Sequence, residues 1–145
     1  MSDVLYKEAY LVERGRFDTA GEASAKIKRT LKKMGVSPAI IREAAIASYE
    51  LELNLVIHSL GGSLTLEITG DMLRLVSEDC GPGIPDIPLA MTEGYSTASE
   101  AVRNMGFGAG MGLPNVKRHS HVFSIQSEVG TGTVINAGYH LTLAG

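Results

Sequence analysis

Gly106-Phe107-Gly108-Ala109-Gly110-Met111-Gly112-Leu113 sets four glycines at alternate positions directly before a stretch of helical character. Alternation of this kind frees successive backbone amides to converge on one anion, and the helix start behind it adds the positive end of a dipole. A flexible linker is the plainer alternative, but the strict alternation and the helix that follows weigh against it. Two other phosphate loops are excluded by their surroundings. A dinucleotide fingerprint needs a strand directly before the loop and an acid about 20 residues after it, at the end of a second strand. No strand precedes this loop. A P-loop needs Gly-Lys-Ser/Thr, and none follows.

Upstream, the glycine density continues. From Asp79 to Gly112 the chain carries seven glycines and only short apolar runs, and a connection of that length in a small domain points to function. It opens with Glu78-Asp79-Cys80-Gly81-Pro82-Gly83-Ile84-Pro85. A strand ends there in an acid, and two glycines let the backbone come close to a flat ligand. A carboxylate so placed can accept a hydrogen bond from an exocyclic amino group. An Asp-x-Gly turn, eased by Pro82 and Pro85, explains the same residues.

Further upstream stands Glu50-Leu51-Glu52-Leu53-Asn54, with His58 four residues on. Positions four apart share a helix face, so Glu50, Asn54 and His58 form a polar line among Ile46, Leu53, Val56 and Ile57, which read as buried. Unpaired buried polar groups cost on the order of 1–3 kcal/mol each. A phosphate-bound Mg²⁺ with its waters would supply partners; a solvated helix edge is the alternative. Glu52 points the opposite way and is expected in solvent.

Around these clusters the patterning predicts a strand over Val4 to Val12 and a helix capped by Asp18 and running to about Met34. That helix buries Ala20, Ala23, Ile27, Leu31 and Met34 as one stripe and ends at Gly35. Ser37-Pro38 starts a second helix to about Ser59, although Ile40 occupies the capping-box position. Leu64 to Ile68, Thr69-Gly70-Asp71 and Leu73 to Ser77 form a hairpin. A helix from about Leu113 to Ser120 precedes two strands, His121 to Ser127 and Thr133 to Leu141, joined by the turn Glu128 to Gly132. This order predicts one α/β domain over residues 1–145, a two-layer sandwich in which helices cover one face of a mixed, mostly antiparallel sheet.

The 145 residues carry a formal net charge of −3, which argues against nucleic acid as a partner. The basic groups Lys26 to Lys33 and Lys117-Arg118 lie on predicted helices and read as solvated faces. No apolar run approaches the ~20 residues that span a bilayer, and the longest, Leu53 to Leu60, contains Asn54 and His58. The single cysteine, Cys80, cannot make an internal disulfide, and no signal peptide is apparent. A cytoplasmic, reducing location is therefore expected, and a monomer is the simpler expectation.

Glu50-x-x-x-Asn54, Asp79-x-Gly81-x-Gly83 and Gly106-x-Gly108-x-Gly110-x-Gly112 resemble, in order, the N, G1 and G2 boxes of the GHKL ATP-binding superfamily. The match covers about residues 40 to 140, and its combination is specific although each piece alone is weak. The resemblance implies the Bergerat-type ATP-binding fold and assigns roles. Glu50 would be the general base and Asn54 the Mg²⁺ ligand. Asp79 would read the adenine amino group, with Gly81 and Gly83 shaping the pocket. Gly106, Gly108, Gly110 and Gly112, with Met111 and Leu113 between and after them, would cradle the phosphates of ATP. Thr133 would support the adenine through a water.

Within the superfamily the chain is most similar to the small serine/threonine kinases of the anti-sigma regulatory group, above all the stressosome switch kinases. Glu78 to Ile87, Glu93-Gly94-Tyr95-Ser96-Thr97, Gly110 to Arg118 and Gly130-Thr131-Gly132-Thr133 carry that likeness. It implies phosphorylation of a STAS-domain partner and a switch to a second partner, such as a downstream phosphatase or cyclase. The alternative it allows is an anti-sigma factor that binds an RNA polymerase sigma factor and a STAS-domain anti-anti-sigma protein; His58 fits those relatives. A histidine-kinase catalytic half fits poorly, because no dimerisation helix with a phospho-acceptor histidine precedes the domain. Two departures stand out. Ala98 to Met105 is longer than the lid of the switch kinases, and His119-Ser120-His121 stands where an acid is more typical. Arg118 is open between a phosphate or partner contact and a plain surface role.

Overall fold

A computed structural model of the chain describes residues 4–16, 18–58, 61–79, 81, 87–91 and 112–141, with the side chains of residues 58, 89 and 90 excepted. Five strands form one sheet: β1 (Val4–Val12), β2 (Gly62–Thr69), β3 (Met72–Asp79), β4 (Val122–Glu128) and β5 (Gly132–His140), in the order β1-β2-β3-β5-β4. The helices are α1 (Glu22–Lys33), α2 (Pro38–His58), the short α3 (Ile87–Ala90) and α4 (Gly112–Arg118). The expected mostly antiparallel sheet is present, and all four pairings among the described residues are antiparallel.

Alternation of side chains across the strands selects the buried face. Leu66, Leu75, Ala137 and Phe123 line up across β2, β3, β5 and β4, and Leu64, Ser77, Ile135 and Ile125 form the next row. Of these, the residues of the three inner strands are buried and those of the edge strand β4 half-buried. The helix α2 lies over this face, touching β1, β2, β3 and β5. Ala44, Ala47, Leu51 and Leu55 recur at helical spacing and are fully buried beneath it. Shortening Leu51 to Ala would cost about 2–5 kcal/mol in lost burial and residual cavity.

The Thr69-Gly70-Asp71 turn closes the β2–β3 hairpin as expected. The Thr69 hydroxyl accepts from the Met72 amide at 3.0 Å and lies 3.0 Å from Asp71 Oδ1. Ser37 caps α2 weakly, its Oγ 3.5 Å from the Ile40 amide.

Three expectations are corrected at α1. Asp18 does not cap it; its carboxylate pairs instead with Arg16 at 3.1 Å on the surface, and that hydrogen bond holds the Asp18 carboxyl below its usual range. The helix starts at Glu22, behind Gly21, whose φ of 101° suits a glycine. Its cap comes from α2. Glu52, expected in solvent, is only 3% exposed. Its carboxylate accepts from the amides of Gly21 at 3.0 Å, Ala23 at 3.2 Å and Ser24 at 3.0 Å. Three amide bonds and the positive helix end compensate the buried charge. At the other end Met34 leaves the expected stripe and is 41% exposed, while Ile27 and Leu31 are fully buried.

Candidate functional site

Asp79 ends β3, opposite Gly62 of β2. Its Oδ1 accepts from the Gly81 amide at 2.9 Å and from the Thr133 amide at 3.0 Å. Thr133 is buried at the start of β5, and its hydroxyl shares a 2.8 Å hydrogen bond with Ser127 Oγ of β4. The carboxylate is thus tied across three strands of the sheet.

Glycine surrounds it on both sides. A Cβ on Gly62 would stand 2.0 Å from the Glu78 carbonyl oxygen, and one on Gly132 would stand 2.2 Å from the Asp79 carbonyl oxygen. Gly132 also holds a φ of 141° and Gly81 one of 129°, both favouring glycine. A side chain at either glycine would collide with the backbone at the end of β3, so only glycine lets β2 and β5 approach this closely beside the anchored carboxylate. Gly62, Gly132 and Ser127 were not among the expected site residues. Gly62 looks like a helix stop in sequence, and Gly132 like part of a turn. Their placement beside Asp79 follows from strand register.

Glu50 and Asn54 project half-buried from α2, one helical turn apart. A Cβ on Gly112, the first residue of α4, would lie 3.3 Å from Glu50 Oε2, so the base candidate stands against the helix that the glycine-rich loop enters. Burial pushes the Glu50 carboxyl above its usual range, and a hydrogen bond from the Asn115 side chain partly opposes that rise. Leu113 is buried in the core and anchors α4 to it. The contacts therefore gather the expected residues in two groups, Asp79 with Gly81 and Thr133, and Glu50 with Gly112.

Gly83, Gly106, Gly108, Gly110 and Met111 lie outside the described residues, as do Cys80, the Ala98 to Met105 segment and the His58 side chain. The far end of α4 is pinned where an acid was expected. His119 Nδ1 lies 2.9 Å from Glu43 Oε2 of α2, and the buried Tyr139 hydroxyl donates to the His119 carbonyl. Arg118 Nη1 donates to Asn115 Oδ1 at 3.1 Å.

A cavity of about 440 Å³ lies between β1 and α1, lined in part by Tyr10, Val12, Arg16, Lys26 and Glu52. It holds none of the expected site residues. Among the described residues no helix is long and apolar enough to cross a membrane, and no cluster of three or more His, Cys, Asp or Glu could hold a metal unaided.

Residues 45–143 match the family described as histidine kinase-, DNA gyrase B-, and HSP90-like ATPase. The chain is 34% identical over 114 residues to the serine/threonine-protein kinase RsbT of Bacillus subtilis (strain 168), an alignment spanning 76% of this chain and 80% of the relative. Solved structures that share the fold include two with low sequence identity. The SiaB–SiaC complex from Pseudomonas aeruginosa matches with a TM-score of 0.59 at 13% identity, over 93% of this chain and 89% of that one. The mycobacterial sensor histidine kinase MprB matches with a TM-score of 0.51 at 17% identity, over 94% and 98%. Family membership implies ATP binding, and the carboxylate held between strand-end glycines is consistent with it. The chain belongs to the histidine kinase-, DNA gyrase B-, and HSP90-like ATPase family.

Proposed function

We propose that the chain is a serine/threonine protein kinase that phosphorylates a STAS-domain partner and acts by partner switching. The kinase class rests on the 34% identity to a serine/threonine-protein kinase over most of both chains. The observation that carries the chemistry is the placement of Glu50 Oε2 against Gly112 at the start of α4. A base there stands beside the helix that receives the glycine-rich phosphate loop.

The roles follow from the chemistry of each group. Asp79 accepts from the adenine amino group while Gly81 and Thr133 hold it in place. The glycines from Gly106 to Gly112 offer backbone amides to the phosphates. Glu50 takes the proton of the attacking serine or threonine hydroxyl. Asn54 offers one amide oxygen to Mg²⁺, which when bound neutralises phosphate charge. Mg²⁺ in such sites takes most of its ligands from phosphate and water, so one half-buried amide oxygen fits the need and no carboxylate cluster is required. Phosphoryl transfer asks mainly for positioning and charge balance, which these groups supply.

The test incubates the chain with labelled ATP and Mg²⁺ and either a STAS-domain protein or a sigma factor from the same cell. Label on the STAS protein without a sigma complex supports the switch-kinase reading. A stable sigma complex would favour the anti-sigma factor, and absence of ATP binding would remove both.

A further inference from the structure

We propose that His119, Glu43 and Tyr139 form a positioning joint that sets the start of α4 against Glu50. The inference deepens the kinase reading and rests on Glu50 as its general base.

The helices α2 and α4 meet at two points. Glu43 Oε2 lies 2.9 Å from His119 Nδ1, and Glu50 Oε2 stands against Gly112. Glu43 and Glu50 are seven residues apart on α2, and His119 and Gly112 are seven apart in the opposite direction. The two segments therefore run antiparallel, with matched contacts about 10 Å apart, close to two helical turns at 1.5 Å per residue.

The contact far from Gly112 is the more heavily bonded. A carboxylate can only accept, so His119 Nδ1 is the donor to Glu43. The His119 amide donates to the Asn115 carbonyl at 3.0 Å and prolongs the helical turn. Tyr139 of β5 is fully buried; its hydroxyl donates to the His119 carbonyl and also reaches the Glu43 carbonyl at 3.4 Å. Two residues on, the His121 amide donates to the Gly138 carbonyl at 2.9 Å. Directed bonds thus tie α2, α4 and β5 together at this end.

The short α4 needs such a tie. Its seven residues are too few to hold a helix alone. Leu113 and Val116 are buried and fix its depth, but apolar packing is non-directional and specifies sliding along the axis weakly. Hydrogen bonds are directional. A shift at His119 is carried along the helix to Gly112, and misplacing reacting groups by about 1 Å can cost about 10²-fold in rate. Asp79 is held instead through Thr133, at the opposite end of β5 from Tyr139. Adenine recognition is therefore expected to be spared when the joint is broken.

The test uses the full chain with labelled ATP, Mg²⁺ and a STAS-domain protein, together with amide NMR of the chain without nucleotide. His119→Ala should lower kcat for transfer on the order of tenfold, with KM for ATP near the wild-type value. His119→Asn, whose amide keeps an N–H at the Nδ1 position, should restore most of the rate. Glu43→Ala should lose as much as His119→Ala, and the double variant no more than either. Tyr139→Phe keeps the buried ring, guards against misfolding of the alanine variants, and should also slow transfer. In the spectra the Gly112 amide signal should shift in His119→Ala and Tyr139→Phe and return in His119→Asn. A Gly112 signal unmoved in both, or losses that multiply in the double variant, would overturn the proposal. Absence of transfer by the wild type would instead remove the kinase reading, and the role of the joint in transfer with it, even where the Gly112 signal still moved.

Discussion

Glu50 and Glu52 stand two residues apart on α2 and serve opposite sides of it. Glu50 Oε2 lies against Gly112 at the start of α4, while the Glu52 carboxylate closes the first turn of α1 through three backbone amides. One helix thus carries a half-buried acid with its charge disfavoured and a buried acid with its charge compensated. The first suits chemistry and the second suits architecture, and the variants should separate accordingly.

Glu50→Gln is expected to bind ATP normally and to transfer phosphate roughly 10²-fold more slowly, the usual scale of a general-base effect. Its thermal stability at neutral pH should rise slightly, because a buried carboxylate is replaced by a neutral amide. In the wild type, burial raises the Glu50 carboxyl above its ordinary value. The base must be ionised to act, so activity rises with pH through that raised value and is lost on acidification earlier than an exposed glutamate would allow. For stability the sign is opposite: a raised carboxyl favours the fold below the unfolded-state value, and this contribution is lost as pH rises through the folded one. Phosphorylation rates and melting curves from pH 4 to 9 on both proteins check the two signs.

Glu52→Ala should leave the amides of Gly21, Ala23 and Ser24 without their acceptor and cost about 2–3 kcal/mol. Urea denaturation measures this. A loss below the error of the curve would mean that water or a local cap replaces the carboxylate.

Gly132→Ala should be severe. The added Cβ meets the Asp79 carbonyl oxygen at 2.2 Å, and the residue holds a φ of 141°. We expect at least about 2 kcal/mol of destabilisation together with weakened ATP binding. Gly70→Ala is the control: a Cβ there meets nothing within 4 Å and no positive φ is involved, so stability should change by less than about 1 kcal/mol. Equal effects in the two variants would argue against a backbone wall beside Asp79.

Asp79→Asn keeps an oxygen for the amides of Gly81 and Thr133 but offers an NH₂ group on its other arm. Two donors would then face each other at the adenine amino group. ATP affinity should fall by about 10²-fold with little change in folding. Nucleotide titration by calorimetry reads it, and undiminished affinity would remove Asp79 from adenine recognition.

The sequence by itself determined the elements and their order, because strand alternation, helical spacing and glycine punctuation are local signals. It also placed Glu50 and Asn54 on one line and singled out the Asp79 and Gly106 to Gly112 loops. Periodicity shows that Glu50 and Glu52 face apart; it does not show what each of them faces. That depended on where α1 and α4 pack against α2, which is why the supposed solvent-exposed Glu52 became a buried cap and why Asp18, the local capping candidate, was left on the surface. The tie between Asp79 and Thr133 spans 54 positions of chain, and the glycines flanking it come from β2 and β5. Only strand register brings them together, since pairing depends on the packing of the whole sheet and on no nearby residue.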